Sequence, residues 1–427
     1  MKNLVYGALG ALISSVPVMA ADLVIEEPAP LLSGESVYNW SGFHIGIGGG
    51  RGLVNHDLST PILGGLGLDG IGGEGIFGQA SAGYDFVFSN GVVLGAEVSG
   101  RYGNIETSLD VAGIPFLLPG GFNADVTAEY GFDIIGRLGY SVTPNTLAYV
   151  LGGYSWQRFE LTSSVPGLAT NWNSGGYVLG VGTETAIKDK WTWKNEYRYS
   201  NYDSQSFFGG GLTVDPTTHT FHTSINYRFN GGPSARTVPA MNHDWTGFKV
   251  GAAFGGGGLV HDVGILGGFI DFNGLGAQGV LGDINIGYDR EFGGRFVGGI
   301  VLAARISNIE TELSTPIGSL NVEAQYGFDA MARLGMKFGG RTLAYVIGGY
   351  TWQHFDISTS PASIIAYDWG ANGFTVGSGM EVAFSDRITG YAEYRYSHYE
   401  EEDFFGGSLL TVTPSSHTVR VGAKYNF

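Results

Sequence analysis

The sequence predicts an all-β, transmembrane up-and-down antiparallel β-barrel, built as two tandem eight-stranded barrels or, alternatively, as one barrel of sixteen strands. Three observations predict it: a near-complete internal repeat, period-two alternation along strand-like runs, and an alternation of short and long turns.

The repeat sets the units. Trp40-Ser-Gly-Phe43 returns as Trp245-Thr-Gly-Phe248, Gly83-Tyr-Asp85 as Gly287-Tyr-Asp289, and Asn104-Ile-Glu106 as Asn308-Ile-Glu310. Tyr130-Gly-Phe-Asp133 matches Tyr326-Gly-Phe-Asp329, Glu196-Tyr-Arg-Tyr-Ser200 matches Glu393-Tyr-Arg-Tyr-Ser397, and Tyr227-Arg-Phe229 matches Tyr425-Asn-Phe427. A period of about 200 residues is too long for a solenoid unit, so each copy is expected to be a whole fold. The expected organisation is a signal peptide over 1–20, a periplasmic N-terminal extension over 21–39, a first barrel repeat over 40–229, a linker over 230–244 and a second repeat over 245–427. The signal peptide rests on Lys2, the apolar run from Leu4 to Ile13 and the small-residue site Val18-Met-Ala20. The linker rests on its Gly-Gly-Pro start and on Pro239, in a segment longer than the other turns on that side.

Composition narrows the class. With no cysteine, thiol catalysis and cysteine-bound metal are excluded. Gly 73 without a triplet period, 13% aromatic and only 14% charged residues fit twisted strands with an aromatic surface. A formal charge of -17 argues against nucleic acid as a partner and against electrostatic docking to anionic lipid surfaces, though not against residence within a bilayer.

Strands in the first copy are expected near 40–50, 75–88, 91–103, 128–142, 146–160, 175–187, 191–203 and 217–229. Tight turns at Ser89-Asn-Gly91, Thr143-Pro-Asn145 and Lys188-Asp-Lys190 alternate with long loops near 51–74, 104–127, 161–174 and 204–216. The second copy repeats this, with turns at Gly293-Gly294, Gly339-Gly340 and Ser385-Asp386. In the last strand Phe221, Thr223, Ile225, Tyr227 and Phe229 share one face, and His222, Ser224, Asn226 and Arg228 the other. Strands of roughly ten residues suffice to cross hydrocarbon when tilted. Trp156, Trp191, Trp193, Tyr197, Tyr199, Trp352 and Trp369 near strand ends suit interfacial girdles. With Tyr130, Phe132, Ile134 and Leu138 set toward lipid, Glu129, Asp133 and Arg137 point inward. The full set assigned to a lumen charge network is Asp85, Glu97, Arg101, Asp133, Arg137, Glu184, Glu196 and Arg198, then Asp289, Arg305, Asp329, Arg333, Glu381, Glu393 and Arg395. Mixed signs can pair there, whereas each charge facing lipid would cost about 2–4 kcal/mol near the midplane.

Other motifs are weaker. Gly46 to Gly50 and Gly251 to Gly258 resemble phosphate-cradling loops, but neither ends in Lys-Ser or Lys-Thr, so curvature of a narrow barrel is the better reading. Glu129 and Asp133 are read as ion-pairing partners of Arg137 and Arg101, and no catalytic residue is assigned. His56 and His219, with their counterparts His261 and His417, would lie near one rim if first and last strands are neighbours. Haem, or a divalent metal, is what such a pair would suit; the alternative is histidines inherited through duplication.

Ala21-Asp-Leu-Val-Ile-Glu-Glu-Pro28, Trp40-Ser-Gly-Phe43, Tyr197-Arg-Tyr-Ser200 and the terminal Phe427 together resemble the small porin-like, opacity-type outer-membrane β-barrels of alphaproteobacteria. The resemblance implies an eight-stranded barrel in a Gram-negative outer membrane, surrounded by its lipid, inserted by the barrel-assembly machinery through the strand ending at Phe427. It implies a non-enzymatic surface anchor presenting extracellular loops. A diffusion porin with a sixteen-stranded lumen and a haem or ligand-binding receptor are the alternatives.

Overall fold

The computed structural model describes residues 34–427 apart from 62–65, 113–120, 168, 208, 316–317, 361–365, 405 and 407–408. The expected signal peptide and residues 21–33 lie outside the described residues. Every regular element among those described is a strand. The first copy runs through β1 (Gly34–Tyr38), β2 (Gly42–Thr60), β3 (Leu66–Val87), β4 (Val92–Val111), β5 (Phe122–Thr143), β6 (Thr146–Ser163), β7 (Thr170–Lys188), β8 (Trp191–Tyr202), β9 (Gln205–Phe207) and β10 (Leu212–Arg228). After β11 (Pro233–Pro239) come β12 (Gly247–Ile265), β13 (Ile270–Phe292), β14 (Phe296–Thr315), β15 (Gly318–Phe338) and β16 (Thr342–Ser360). The chain finishes with β17 (Ala366–Ala383), β18 (Ile388–Tyr399), β19 (Glu402–Phe404) and β20 (Leu410–Asn426).

Pairing is antiparallel and runs in two circuits. Strands β2 to β8 pair in sequence order, and β10 bonds to β8 on one side and to β2 on the other, from Thr213↔Ser59 to Arg228↔His44. In the second copy β12 to β18 pair in order, and β20 joins β18 to β12. Alternation assigns the faces. On β5 Ile134 and Leu138 are 51% and 54% exposed, while the residue preceding each, Asp133 and Arg137, is 1% and 2% exposed.

Several sequence expectations are corrected. The stretches expected as long loops are largely strand, because β2 to β7 continue as paired hairpins beyond the apolar band. Their glycines and polar residues blur the alternation that marks strands crossing lipid. The expected linker contains β11, which pairs with β1 from Gly34↔Pro239 to Tyr38↔Pro233. A two-stranded ribbon tolerates prolines on its edge, so a segment that reads as punctuation folds as strand. Trp369, expected in the lipid girdle, is 6% exposed and packs on Phe355 and Phe404 inside the second circuit. Glu129 does not join Asp133 in the lumen: a bulge between Ala128 and Gly131 breaks the alternation, and Glu129 pairs with Arg158 at 3.4 Å.

The copies also join each other. Strands β3 and β4 remain paired only as far as Glu74↔Glu106. Beyond that point β4 pairs with β13 over Ser108↔Asn273 to Val111↔Ile270, and β3 pairs with β14 over Asp69↔Glu312 to Gly67↔Ser314. The two pairings are one contact repeated, since Ser108 corresponds to Glu312 and Asn273 to Asp69. Ile71 meets its own counterpart, Leu275, between them. A Cβ on Gly72 would lie 2.6 Å from Gly276 Cα, and one on Gly276 would lie 2.9 Å from Gly72 Cα, so only glycine permits this crossing. Contact between equivalent residues about a two-fold is the signature of an isologous dimer interface, here within one chain.

Replacing Ile134 or Leu138 with Arg should cost about 2–4 kcal/mol of membrane-inserted stability. On gels, most of that protein should lose the compact, heat-modifiable band that a Val165→Arg protein, changed on an exposed hairpin, retains. Equal recovery of all three would contradict the outward lipid face.

Candidate functional site

The interior of each circuit is filled by ion pairs, and all fifteen sequence-assigned network residues lie in it. In the first copy the tier nearest the short turns is a ring. Arg137 bonds Asp85 (Nε to Oδ1, 2.7 Å) and Glu184 (3.1 Å), and Arg228 bonds the same two carboxylates at 2.8 Å each. Trp40 lies beneath, its ring 5.0 Å from the Arg228 guanidinium and its carbonyl accepting from Arg228 Nη1 at 2.7 Å. Above, Lys194 bonds Glu97 at 2.6 Å, and Asp133 is held by Arg101 and Arg198, both at 2.7 Å. The Tyr149 hydroxyl donates to Glu196 at 2.7 Å.

The second copy keeps the plan with different side chains. Lys249 bonds Asp289 at 2.9 Å, while Arg333 and Lys424 bond Glu381 at 2.6 and 2.9 Å. Asp329 is gripped by Arg305 and, at 2.7 Å, by Arg395. The departures are informative. Where the first copy has Glu97 and Lys194 the second has Val301 and Tyr391, and where the first has Gln79 and His222 the second has Asp283 and Arg420, 2.9 Å apart. At these two places charges have been gained or lost as pairs, as expected when an unpartnered buried charge costs several kcal/mol.

Sequence reasoning missed Lys194, Arg228, Lys249, Asp283, Arg420 and Lys424 as network members. The period-two parity would have found them: Lys194 shares a face with Glu196 and Asp283 with Asp289, while Arg228, Lys249, Arg420 and Lys424 lie on the face opposite the outward Ile225, Val250, Val421 and Tyr425. It also missed the aromatic cap above the ion pairs. There Phe159 stacks on Trp172 at 5.3 Å and meets Tyr202 edge-on, and the counterparts Phe355, Trp369 and Tyr399 repeat the arrangement.

The histidine pairs do not converge. His56 points inward, edge-on to Phe159, whereas His219 points outward. In the register His56 lies opposite Pro216 and His219 opposite Leu53, which places the two on opposite faces of one sheet. His261 and His417 are divided in the same way, with His261 against Phe355. The outward pair serves the junction between copies: His219 bonds Tyr197 and, at 3.1 Å, Gln278 of the other copy, while His417 bonds Tyr394 at 2.7 Å and Glu74 of the other copy at 2.8 Å. Phe221 stacks on Tyr394 at 4.4 Å across the same junction, and Arg51 lies 3.9 Å from the Tyr396 ring. Among the described residues no three His, Asp or Glu side chains group as a metal shell.

Charge is sorted along the axis. The hairpin extensions carry Asp57, Glu106, Asp110, Asp125 and Glu160 in the first copy and Asp262, Asp271, Glu310, Glu312, Glu323, Asp356 and Asp368 in the second. Their basic residues, Arg51 and Arg158, are both paired. Every lumen carboxylate is paired with a cation, so the formal -17 resides chiefly on the long-hairpin end.

Residues 8–229 and 234–427 each match the family model for an outer membrane protein beta-barrel domain. The chain is 29% identical over 249 residues to the 31 kDa outer-membrane immunogenic protein of Brucella melitensis, a match taking in 54% of this chain and 100% of that relative. To the 25 kDa outer-membrane immunogenic protein of Brucella canis it is 25% identical over 234 residues, with 54% and 99% covered. Among solved structures, Ail, the attachment invasion locus protein of Yersinia pestis, aligns over 43% of this chain and 99% of its own at 15% identity, with a TM-score of 0.25, too slight a likeness to carry a structural argument.

The paired replacement between copies can be rerun in the laboratory. Glu97→Val alone leaves Lys194 buried with only the more distant Glu196, 3.6 Å away, and should destabilise by about 3 kcal/mol. Adding Lys194→Tyr, which recreates the second copy's pair, should recover most of that loss. Urea titrations of the folded protein in detergent micelles check it, and additive single and double losses would contradict the pairing.

Proposed function

The chain belongs to the outer membrane protein β-barrel domain family and carries the domain twice, and from this we propose that it is a pair of plugged eight-stranded barrels anchoring one joined, acidic surface outside the cell. It is a non-enzymatic protein of a Gram-negative outer membrane, related to the immunogenic outer-membrane proteins of Brucella. Within the family we place it with the small porin-like, opacity-type barrels, fused in tandem with repeats over 40–229 and 245–427. Short turns then face the periplasm and long hairpins the exterior. Strand β20, running to Asn426 just before Phe427, is the segment offered to the assembly machinery.

The observation that carries this reading is the filled interior. Eight strands enclose a space that side chains can just fill, and Arg137, Arg198, Arg228 and Lys194 are each no more than 2% exposed within it. A sixteen-stranded diffusion porin would need β10 to pair with β12, but β10 is taken up by β8, β9 and β2. What the protein offers its surroundings is then the joined outer rim. Its excess of carboxylates fits a role in surface presentation and disfavours anionic partners.

Planar-bilayer recordings test the proposal. The purified protein should insert yet show little stable conductance, and Arg137→Ser with Arg228→Ser should raise leak. Large, regular, voltage-independent steps from the unmodified protein would overturn the plugged-barrel reading.

A further inference from the structure

We propose that the cleft between the two copies at the short-turn end binds the headgroup of an anionic phospholipid of the inner leaflet. The inference rests on the side-by-side barrels and the orientation given above. Cations are used differently in different parts of the molecule. Every Lys and Arg inside the lumens has a carboxylate partner, and so do Arg51 and Arg158 at the outer end. Among the described residues, the cations without an ion pair all lie at the short-turn end: Lys188, Lys190, Arg236, Arg290 and Arg295, with Arg341 and Arg387 bonded only to neutral oxygens. That is the depth of lipid phosphates, marked by the exposed rings of Trp191, Phe229, Phe292 and Phe296.

Two of these unpaired cations meet in one cleft. It has a volume of about 500 Å³ and is walled by the Lys188–Asp189 turn of the first copy, by Arg295, Lys337 and Phe338 of the second, and by Tyr38 on β1. Lys337 also bonds Glu291 at 2.5 Å, and Asp189 is the carboxylate on the wall, so the lining keeps a positive excess. Ile187, 42% exposed, and Phe338 supply an apolar side. The Tyr38 hydroxyl is buried without a hydrogen-bond partner among the described residues. Cations beside apolar walls, between two membrane-embedded units at headgroup depth, fit a phosphodiester carrying acyl chains. A free phosphate would have no use for the apolar side.

Native mass spectrometry of the full chain, released from micelles containing phosphatidylglycerol or phosphatidylethanolamine, tests this. Phosphatidylglycerol should be retained, one per chain, and phosphatidylethanolamine at least about tenfold less. Lys188→Gln with Arg295→Gln should cut retention about tenfold, whereas Lys190→Gln with Arg387→Gln should leave it unchanged, and the charge-preserving Lys188→Arg with Arg295→Lys should retain lipid. Equal retention of both lipids, equal loss in both Gln pairs, no effect of either pair, or displacement of the lipid by millimolar inorganic phosphate would overturn the site. Heat-modifiability is read on every sample. If the Gln pair does not fold, the lipid preference of the unmodified protein and of the charge-preserving variant decides the matter. Loss of heat-modifiability in the unmodified protein would instead count against the barrel reading beneath it.

Discussion

A strand crossing hydrocarbon has no water to receive its amides, so each backbone N–H and C=O must be bonded within the protein. This requirement explains why each copy returns to its own first strand. The register from Thr213↔Ser59 to Arg228↔His44 leaves β10 no free edge at membrane depth, and β20 does the same against β12. Eight strands then fix the interior at a size that side chains can fill. Gly50 and Gly257, whose Cβ atoms would each lie 2.0 Å from a carbonyl of the neighbouring strand, let the first and last strands curve closely together.

The narrow interior sets the second constraint. Charges held there must be matched, and divergence between the copies respects that: Glu97 and Lys194 vanish together, while Asp283 and Arg420 appear together. Near the short turns His44, Asn226 and Arg228 of the first copy become Lys249, Lys424 and Asn426 of the second, so the cations move while Glu184 and Glu381 keep their partners. The lumen carboxylates are consequently all matched by cations, and the acidic character of the chain is displaced to the hairpins. The junction obeys the same logic on the outer surface. His417, Glu74 and Arg51 would be poorly placed against lipid, and they face the other copy instead.

How much of this could be read in the sequence follows from the range of each interaction. Alternation is local, so the outward face of β5 and the inward set from Asp85 to Arg395 were legible residue by residue. The hairpin extensions were not, because Gly67, Gly72 and Gly73 carry no apolar pattern and their pairing depends on β2, β14 and β13. A bulge also defeats parity, as Glu129 shows. The histidines recur in both copies, and that recurrence was visible; their separation onto two faces follows from three positions of register between His56 and the residue opposite His219. The junction was least legible of all. Nothing near Ile71 in the chain announces that its neighbour is Leu275, although the repeat itself held the two-fold relation.

The central claim is that each copy is a complete barrel and that the junction joins two finished units. Refolding residues 34–230 and 240–427 separately in detergent, and then together, tests it most directly. The account predicts that each half gives a compact, heat-modifiable band alone and that the two associate when mixed. If neither half folds alone while the mixture does, the strands belong to one shared barrel and the account is wrong.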